Sequence, residues 1–76
     1  MSANVHTLDA RGLNCPLPIL RTKKSLSGMH AGEILEITAT DPGSMKDLDS
    51  FCSQTGHEML SSRQAGSELY FRIRKA

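Results

Sequence analysis

The hydrophobic pattern of the chain changes its period at Asp41-Pro42, and this change limits the possible folds more than any other feature. From Ile34 to Thr40, apolar and polar side chains alternate, which is typical of a strand with one buried face. Beyond Asp41-Pro42, the apolar arc of a helix follows, with these members: Met45, Leu48, Phe51, Cys52 and Thr55. An Asp as N-cap and a Pro at the next position mark the start of this helix. A strand followed directly by an amphipathic helix predicts a mixed α/β fold.

Glycines, prolines and turn-forming residues divide the 76-residue chain into six elements. The first helix is predicted to start near Cys15 and to run to Ser27, with Pro16 at its first position and Gly28 at its end. Residues 5–9, 57–64 and 68–74 are predicted as further strands, the last two joined by a turn at 65–67. The order β-α-β-α-β-β, with one apolar face on each clear strand, predicts a two-layer sandwich. We expect one domain over residues 1–76, with a mixed four-stranded sheet and both helices on one of its faces.

The chain is close to electrically neutral, so it is neither strongly basic nor strongly acidic. Nine basic and eight acidic residues give a net charge of +1, which provides no strong attraction to nucleic acid or to a membrane surface. No apolar run approaches the length that spans a bilayer, and the first residues lack the apolar core of a secretory signal. We therefore expect a cytoplasmic protein with free thiols. Because the cysteines and histidines lack zinc-ligand spacing, we expect no metal, and nothing in the sequence calls for an organic cofactor.

The two cysteines have different sequence surroundings. Cys52 lies on the apolar arc of the second helix, which predicts a buried structural thiol. Cys15 lies at the predicted start of the first helix, where free N–H groups and the helix dipole favour a thiolate. We therefore expect a lowered pKa for Cys15, with added positive charge from Arg11 and a turn stiffened by Pro16 and Pro18. From these local features alone, the alternative that Cys15 only fills a gap at the helix start stays open.

One activated thiol without an evident substrate pocket suits a carrier that takes up sulfur as a persulfide and hands it on. Two alternatives stay open. A thiol–disulfide regulator would use Cys15 together with Cys52. A small RNA-binding module would use the basic and aromatic side chains on the open face of the sheet: Tyr70, Arg72, Arg74 and Lys75.

Two motifs in the chain resemble the signature of the TusA family, also called SirA-like, of small bacterial sulfur carriers. The first motif reads Leu8-Asp9-x-Arg11-Gly12-x-x-Cys15-Pro16-x-Pro18. The second motif reads Asp41-Pro42-Gly43-Ser44-x-x-Asp47, followed by Phe51-Cys52 and Thr55-Gly56-His57-Glu58. The resemblance extends from about Thr7 to Lys75, and the spacing between the motifs also fits.

This resemblance implies a function, a set of partners and a site. The family cysteine that carries the persulfide matches Cys15, and Pro16 and Pro18 match the motif prolines. Arg11, Gly12 and Asp41 match further motif positions and are expected to support the site. Family members accept sulfur from a cysteine desulfurase or a rhodanese-like protein and deliver it to relay proteins. Their pathways lead to 2-thiouridine in tRNA or belong to dissimilatory sulfur oxidation. The resemblance thus implies a sulfurtransferase-like carrier that works with partner enzymes. From the near-neutral charge we expect no direct binding of nucleic acid.

Three residues of the first helix are candidates for partner contacts. Leu17 falls away from Ile19 and Leu26, the expected core stripe, on a helical wheel. Leu17 is therefore either a rim residue of the core or an exposed apolar contact beside the sulfur. Arg21 and Lys24 follow on the same helix and form either a solvated face or a docking face for acidic partners.

Overall fold

The computed structural model describes residues 4–76, and its elements follow the predicted order. The elements are β1 (Val5–Ala10), α1 (Leu17–Ser27), β2 (Ile34–Ala39), α2 (Ser44–Thr55), β3 (Glu58–Ala65) and β4 (Glu68–Arg74). The predicted strands agree with these bounds to within one residue at each end. Neither helix in this part of the chain has the length and apolar character needed to cross a membrane.

The four strands form one mixed sheet in the order β1-β2-β4-β3. β1 and β2 are parallel neighbours, whereas β4 runs antiparallel to both β2 and β3. The parallel pair needs a crossover connection, which α1 provides. Because parallel neighbours end at the same edge of the sheet, the segments that leave β1 and β2, residues 11–16 and 40–43, lie side by side. This edge carries the candidate site described below.

The core lies between the helices and the face of the sheet that the sequence alternation predicts. Leu35, Ile37 and Ala39 of β2 are paired with Ile73, Phe71 and Leu69 of β4, and none of these six side chains is more than 4% exposed. The helices contribute Leu26, Leu48, Phe51 and Cys52 to the same core, and Met29 joins it just after α1. The predicted inward faces of both strands and the two-layer α/β sandwich are confirmed.

The first helix begins two residues later than the sequence predicts. The N–H of Leu17 donates a 2.8 Å hydrogen bond to the carbonyl of Asn14, so residues 14–17 close a turn before the helix starts. Pro16 is the N-cap of α1, and Pro18 lies in its first turn. The prediction that placed Pro16 at the first helical position and the helix start near Cys15 is therefore wrong.

The buried stripe of α1 consists of Pro18, Thr22 and Leu26. The hydroxyl of Thr22 donates a 2.9 Å hydrogen bond to the carbonyl of Pro18, which satisfies this polar group inside the core. Ile19, expected on the core stripe, is half-buried and packs against the edge of the core. A search for apolar residues alone misses this stripe because two of its three members are not strongly apolar.

The second helix also begins late, at Ser44, with Gly43 as its N-cap. The N–H of Ser44 donates a 3.0 Å hydrogen bond to the carbonyl of Asp41, which closes a turn over residues 41–44. The predicted roles of Asp41 as N-cap and Pro42 as first helical residue are therefore wrong, because this turn precedes the helix. The end at Gly56 is confirmed, and its φ of 86° is the left-handed conformation that favours glycine.

The buried face of α2 differs from the predicted arc at both ends of the helix. Ser44 takes the buried position expected for Met45, which is 37% exposed. Thr55 is exposed, and its hydroxyl donates a 2.7 Å hydrogen bond to the carbonyl of Phe51. The central residues of the arc face the core as predicted.

Candidate functional site

Cys15 is exposed and lies at the edge where the segments after β1 and β2 meet. Its Sγ–H donates a 3.2 Å hydrogen bond to Oδ2 of Asp47, a residue in the first turn of α2. The peptide bond between Cys15 and Pro16 is cis. The structure therefore brings the cysteine of the first motif into contact with the second motif.

The segment that carries Cys15 is fixed to the sheet by its backbone. The N–H of Gly12 donates a 2.8 Å hydrogen bond to Oγ1 of Thr40, and the N–H of Leu13 donates to the carbonyl of Ala10 at 3.3 Å. Gly12 has a φ of 79°, which a residue with a side chain rarely adopts. These contacts set the position of Cys15 next to the end of β2.

Arg11 does not supply positive charge to the thiol, so this expectation is wrong. Its guanidinium forms an ion pair with Asp9, with Nε 2.9 Å from Oδ1, and a longer one with Glu68, with Nη1 3.5 Å from Oε2. The hydrogen bonds from Arg11 lower the pKa of Asp9 to about 2. Arg11 instead ties the start of the segment to β1 and β4.

The pKa of Cys15 is raised, not lowered as the sequence predicted. The hydrogen bond to Asp47 is the largest cause, followed by desolvation and the negative charges of Asp47 and Asp41. The prediction is wrong because the sulfur lies two residues before α1 and faces the carboxylates at the start of α2. The hydrogen bond and the two carboxylates therefore favour the thiol form of Cys15 over the thiolate.

Asp41 and Asp47 together with Cys15 form what we call the Cys15 cluster. A Cβ added to Gly43 would lie 3.3 Å from Oδ2 of Asp41 and 3.8 Å from Oδ2 of Asp47, so both carboxylates approach the same backbone. Oδ2 of Asp41 is buried and has no hydrogen-bond partner in the described part of the chain. Across residues 4–76, no three His, Cys, Asp or Glu side chains converge as a metal ion requires.

The first turn of α1 presents apolar side chains to solvent beside Cys15. Leu17 is 44% exposed and Leu20 is 51% exposed. With Arg21 and Lys24, which are also exposed, they form a line at helical positions i, i+3, i+4 and i+7. We call this line the α1 stripe. The sequence analysis missed Leu20, although its spacing of three from Leu17 places it on the same face.

Cys52 lies in the core, as predicted. It is 5% exposed, and burial raises the pKa of its thiol. Asp47, which contacts Cys15, precedes Cys52 by five residues on α2, so the two side chains point about 140° apart around the helix. Cys15 and Cys52 are both free. An intramolecular disulfide would require the core to open, which weighs against the thiol–disulfide regulator.

The basic patch predicted on the open face of the sheet is largely neutralised. Nε of Arg72 lies 3.1 Å from Oε2 of Glu36, and Arg74 forms an ion pair with Glu58. Nζ of Lys75 donates a 2.6 Å hydrogen bond to a backbone carbonyl at the end of α1. Arg63 forms none of these ion pairs, and its guanidinium lies 4.6 Å from the ring centroid of Tyr70. One such cation is a small positive footprint for RNA, which weighs against the RNA-binding alternative.

The fold and the site define a class of protein: a small α/β domain that exposes one hydrogen-bonded thiol at the carboxyl ends of its parallel strands. The family model described as Sulfurtransferase TusA matches residues 6–75. The chain belongs to the TusA family.

Two relatives agree with this assignment, and one solved structure agrees with the fold. The chain is 55% identical to the sulfur carrier protein TusA of Allochromatium vinosum over 69 residues, which cover 91% of each chain. It is 44% identical to the sulfur carrier protein TusA of Pseudomonas entomophila over 71 residues, covering 92% of this chain and 89% of the relative. The crystal structure of a SirA-like protein from Desulfitobacterium hafniense has the same fold, with a TM-score of 0.79 at 24% identity, covering 92% of this chain and 95% of that one. The named relatives support a sulfur carrier role.

Proposed function

We propose that this protein accepts sulfane sulfur as a persulfide on Cys15 and passes it to a relay protein downstream. The observation that carries this proposal is the contrast between the two thiols: Cys15 is exposed at a fixed position, and Cys52 is buried. An exposed thiol on a rigid support can meet the sulfur of one protein after another. No metal or organic cofactor takes part in this proposal.

The proposed uptake step exchanges one sulfur–sulfur bond for another. The sulfur of Cys15, as a thiolate, attacks the outer sulfur of a persulfide R–S–SH on the donor. The bond from Sγ to the outer sulfur forms, and the donor's own sulfur–sulfur bond breaks. The donor leaves as a thiolate and takes up the proton that Cys15 has lost. The balance is R–S–SH plus Cys15–SH giving R–SH plus Cys15–S–SH, and delivery is the same exchange with an acceptor thiol.

The contacts of the motif residues indicate how each of them supports the proposed site. Gly12 permits the turn that places the segment against Thr40, and Arg11 ties this segment to the sheet. Pro16 caps α1 directly after the cysteine, and Pro18 anchors the first turn in the core. We assign these residues to holding Cys15 in place and not to the exchange itself.

The α1 stripe is the proposed docking surface for the partners. α1 contains no acidic residue, and Arg21 and Lys24 form no ion pair with the part of the chain that the structure describes. Two exposed leucines next to two free cations suit a partner with an apolar centre and an acidic rim. Sulfur donors of the cysteine desulfurase or rhodanese-like type, and relay acceptors in tRNA thiolation or sulfur oxidation, are the proposed partners. The reducing cytoplasm is the proposed compartment, because it keeps the thiol free.

Transfer of radioactive sulfur from labelled cysteine, in the presence of a cysteine desulfurase, tests the proposal. We expect the chain to acquire label that a reducing agent removes, because a persulfide is reducible. Cys15→Ser should abolish labelling, and Cys52→Ala should retain it. Equal labelling of the wild type and Cys15→Ser would overturn the proposal.

A further inference from the structure

We propose that Asp47 is a positioning residue that holds Cys15 as a thiol in the free carrier, and that a cationic side chain of a partner releases the thiolate on docking. This inference rests on the proposed function and adds the regulation of its site. Its first support is geometric: Oδ2 of Asp47 accepts the hydrogen bond from Sγ–H of Cys15 at 3.2 Å. A thiolate cannot donate that bond and would face the carboxylate as a second negative charge.

The charges that face Cys15 come from two elements, and both are negative. Asp47 faces it from α2, and Asp41 faces it from the turn over residues 41–44. The first turn of α1 carries no acidic residue, and Arg11, from the segment after β1, is engaged by Asp9 and Glu68. Within residues 4–76, no Lys, Arg or His forms an ion pair with Asp41 or Asp47. The described part of the chain therefore provides no ion-pair partner for the carboxylates of the Cys15 cluster.

In this arrangement the free carrier is protected from oxidation, and Cys15 becomes reactive only when a partner docks. The thiolate is the form that attacks sulfur and also the form that oxidants consume, so a carrier held as thiol is slow in both reactions. Sulfur uptake needs the thiolate, and neutralising Asp47 favours it. A partner would therefore bring an acidic rim to the α1 stripe and one cationic side chain to the Cys15 cluster. This arrangement restricts loading to complexes in which the carrier is correctly docked.

The pH profile of Cys15 alkylation tests the role of Asp47 in the free protein. Iodoacetamide is a suitable probe because it is uncharged and reacts with the thiolate. We expect Asp47→Asn to lower the midpoint by about one pH unit and to raise the rate at pH 7 about tenfold. Asp47→Glu, which keeps the charge, should stay nearer to the wild type. Asp49→Asn removes the same charge from an exposed position on the same helix and should leave the midpoint unchanged. An unchanged or raised midpoint in Asp47→Asn would overturn the proposal.

Release of the Cys15 thiolate by a docked partner is tested by a second measurement. We would repeat the profile in complex with a desulfurase that loads the carrier, with the catalytic cysteine of the desulfurase replaced by serine. The midpoint is the quantity to compare, because docking also shields the thiol and lowers the rate at every pH. We expect the wild-type midpoint to fall towards that of Asp47→Asn, whose own midpoint should hardly move. A wild-type midpoint that is the same free and docked contradicts release by the partner. Failure of every donor to add sulfur to Cys15 would instead contradict the proposed function and leave the alkylation result standing.

Discussion

The N–H of Gly12 donates a 2.8 Å hydrogen bond to Oγ1 of Thr40, and this bond joins the segment that carries Cys15 to the end of β2. Since β1 and β2 are parallel neighbours, the bond connects the two segments that leave the same edge of the sheet. It fixes the position from which Cys15 reaches Asp47. The segment that carries Cys15 is therefore held by a contact between residues that are 28 positions apart in the sequence.

Replacing Thr40 by valine tests this connection, because valine keeps the shape of threonine and removes the oxygen that accepts the bond. We expect a loss of about 1 kcal/mol in the free energy of unfolding, measured by urea denaturation. Sulfur uptake should slow as well, because the segment loses its fixed position. Thr38→Val, two residues earlier on the open face of β2, is the matched control. Equal effects of the two substitutions on sulfur uptake would count against the connection.

The α1 stripe predicts that docking depends on its exposed leucines. Leu17→Glu and Leu20→Glu should each slow sulfur transfer from a protein donor about tenfold, because each places a charge in the apolar centre of the interface. The thermal midpoint should stay close to that of the wild type, since both side chains are already exposed. Val5→Glu is the control: Val5 is 49% exposed and lies at the far end of β1 from Cys15. Unchanged transfer in both leucine variants would mean that the partners dock elsewhere.

The hydrogen bonds of Glu33 allow a prediction of how the stability of the fold changes at acid pH. Its carboxylate accepts hydrogen bonds from the N–H of His30 and the side chain of Asn4, and it also contacts His6, so its pKa is lowered to about 2. A lowered pKa stabilises the fold above the ordinary value of 4.5, and this contribution is lost as the pH falls from about 4.5 to about 2. Glu33→Gln should therefore be less stable than the wild type at pH 7, and the difference should shrink towards pH 2. Urea denaturation at a series of pH values measures it, and a difference that does not change with pH would contradict this origin.

Substitutions of the two cysteines should have opposite effects on stability and on sulfur uptake. Cys52→Ala removes a buried sulfur from the core and should cost about 1 kcal/mol in the free energy of unfolding, with little change in sulfur uptake. Cys15→Ser should have the reverse effect, with stability retained and uptake lost. Denaturation curves and sulfur labelling of the same two variants give the comparison. Loss of uptake in Cys52→Ala at a temperature where it is folded would give the second cysteine a part in the chemistry.

The sequence predicts the layers of this fold well because its strands have one buried face each. The alternation of Leu69, Phe71 and Ile73 predicts both the bounds of β4 and its inward side, and the structure agrees. The helix starts are predicted less well. At Asp41-Pro42 and at Cys15-Pro16 the chain makes a turn before the helix, and the residues that favour a helix start also favour a turn.

The sequence predicts the cysteine of the candidate site but not the charges that surround it. Cys15 stands out in the sequence, whereas its contact with Asp47 is a tertiary contact across 32 positions. The local rule that a helix start lowers the pKa of a cysteine does not apply, because Cys15 precedes α1 and faces the carboxylates of Asp47 on α2 and Asp41 in the turn before it. The order of the strands would have revealed this contact, since parallel neighbours bring their following segments together, but the hydrophobic pattern does not fix that order.

The mass of the chain after reaction with a sulfur donor tests the central claim most directly. After incubation with cysteine, a cysteine desulfurase and pyridoxal phosphate, we predict a gain of about 32 Da, the mass of one sulfur atom, on the peptide that contains Cys15. A chain that loses about two hydrogens, with Cys15 joined to Cys52, would contradict the persulfide account and favour a thiol–disulfide regulator. A gain found on Cys52 and not on Cys15 would contradict it as well.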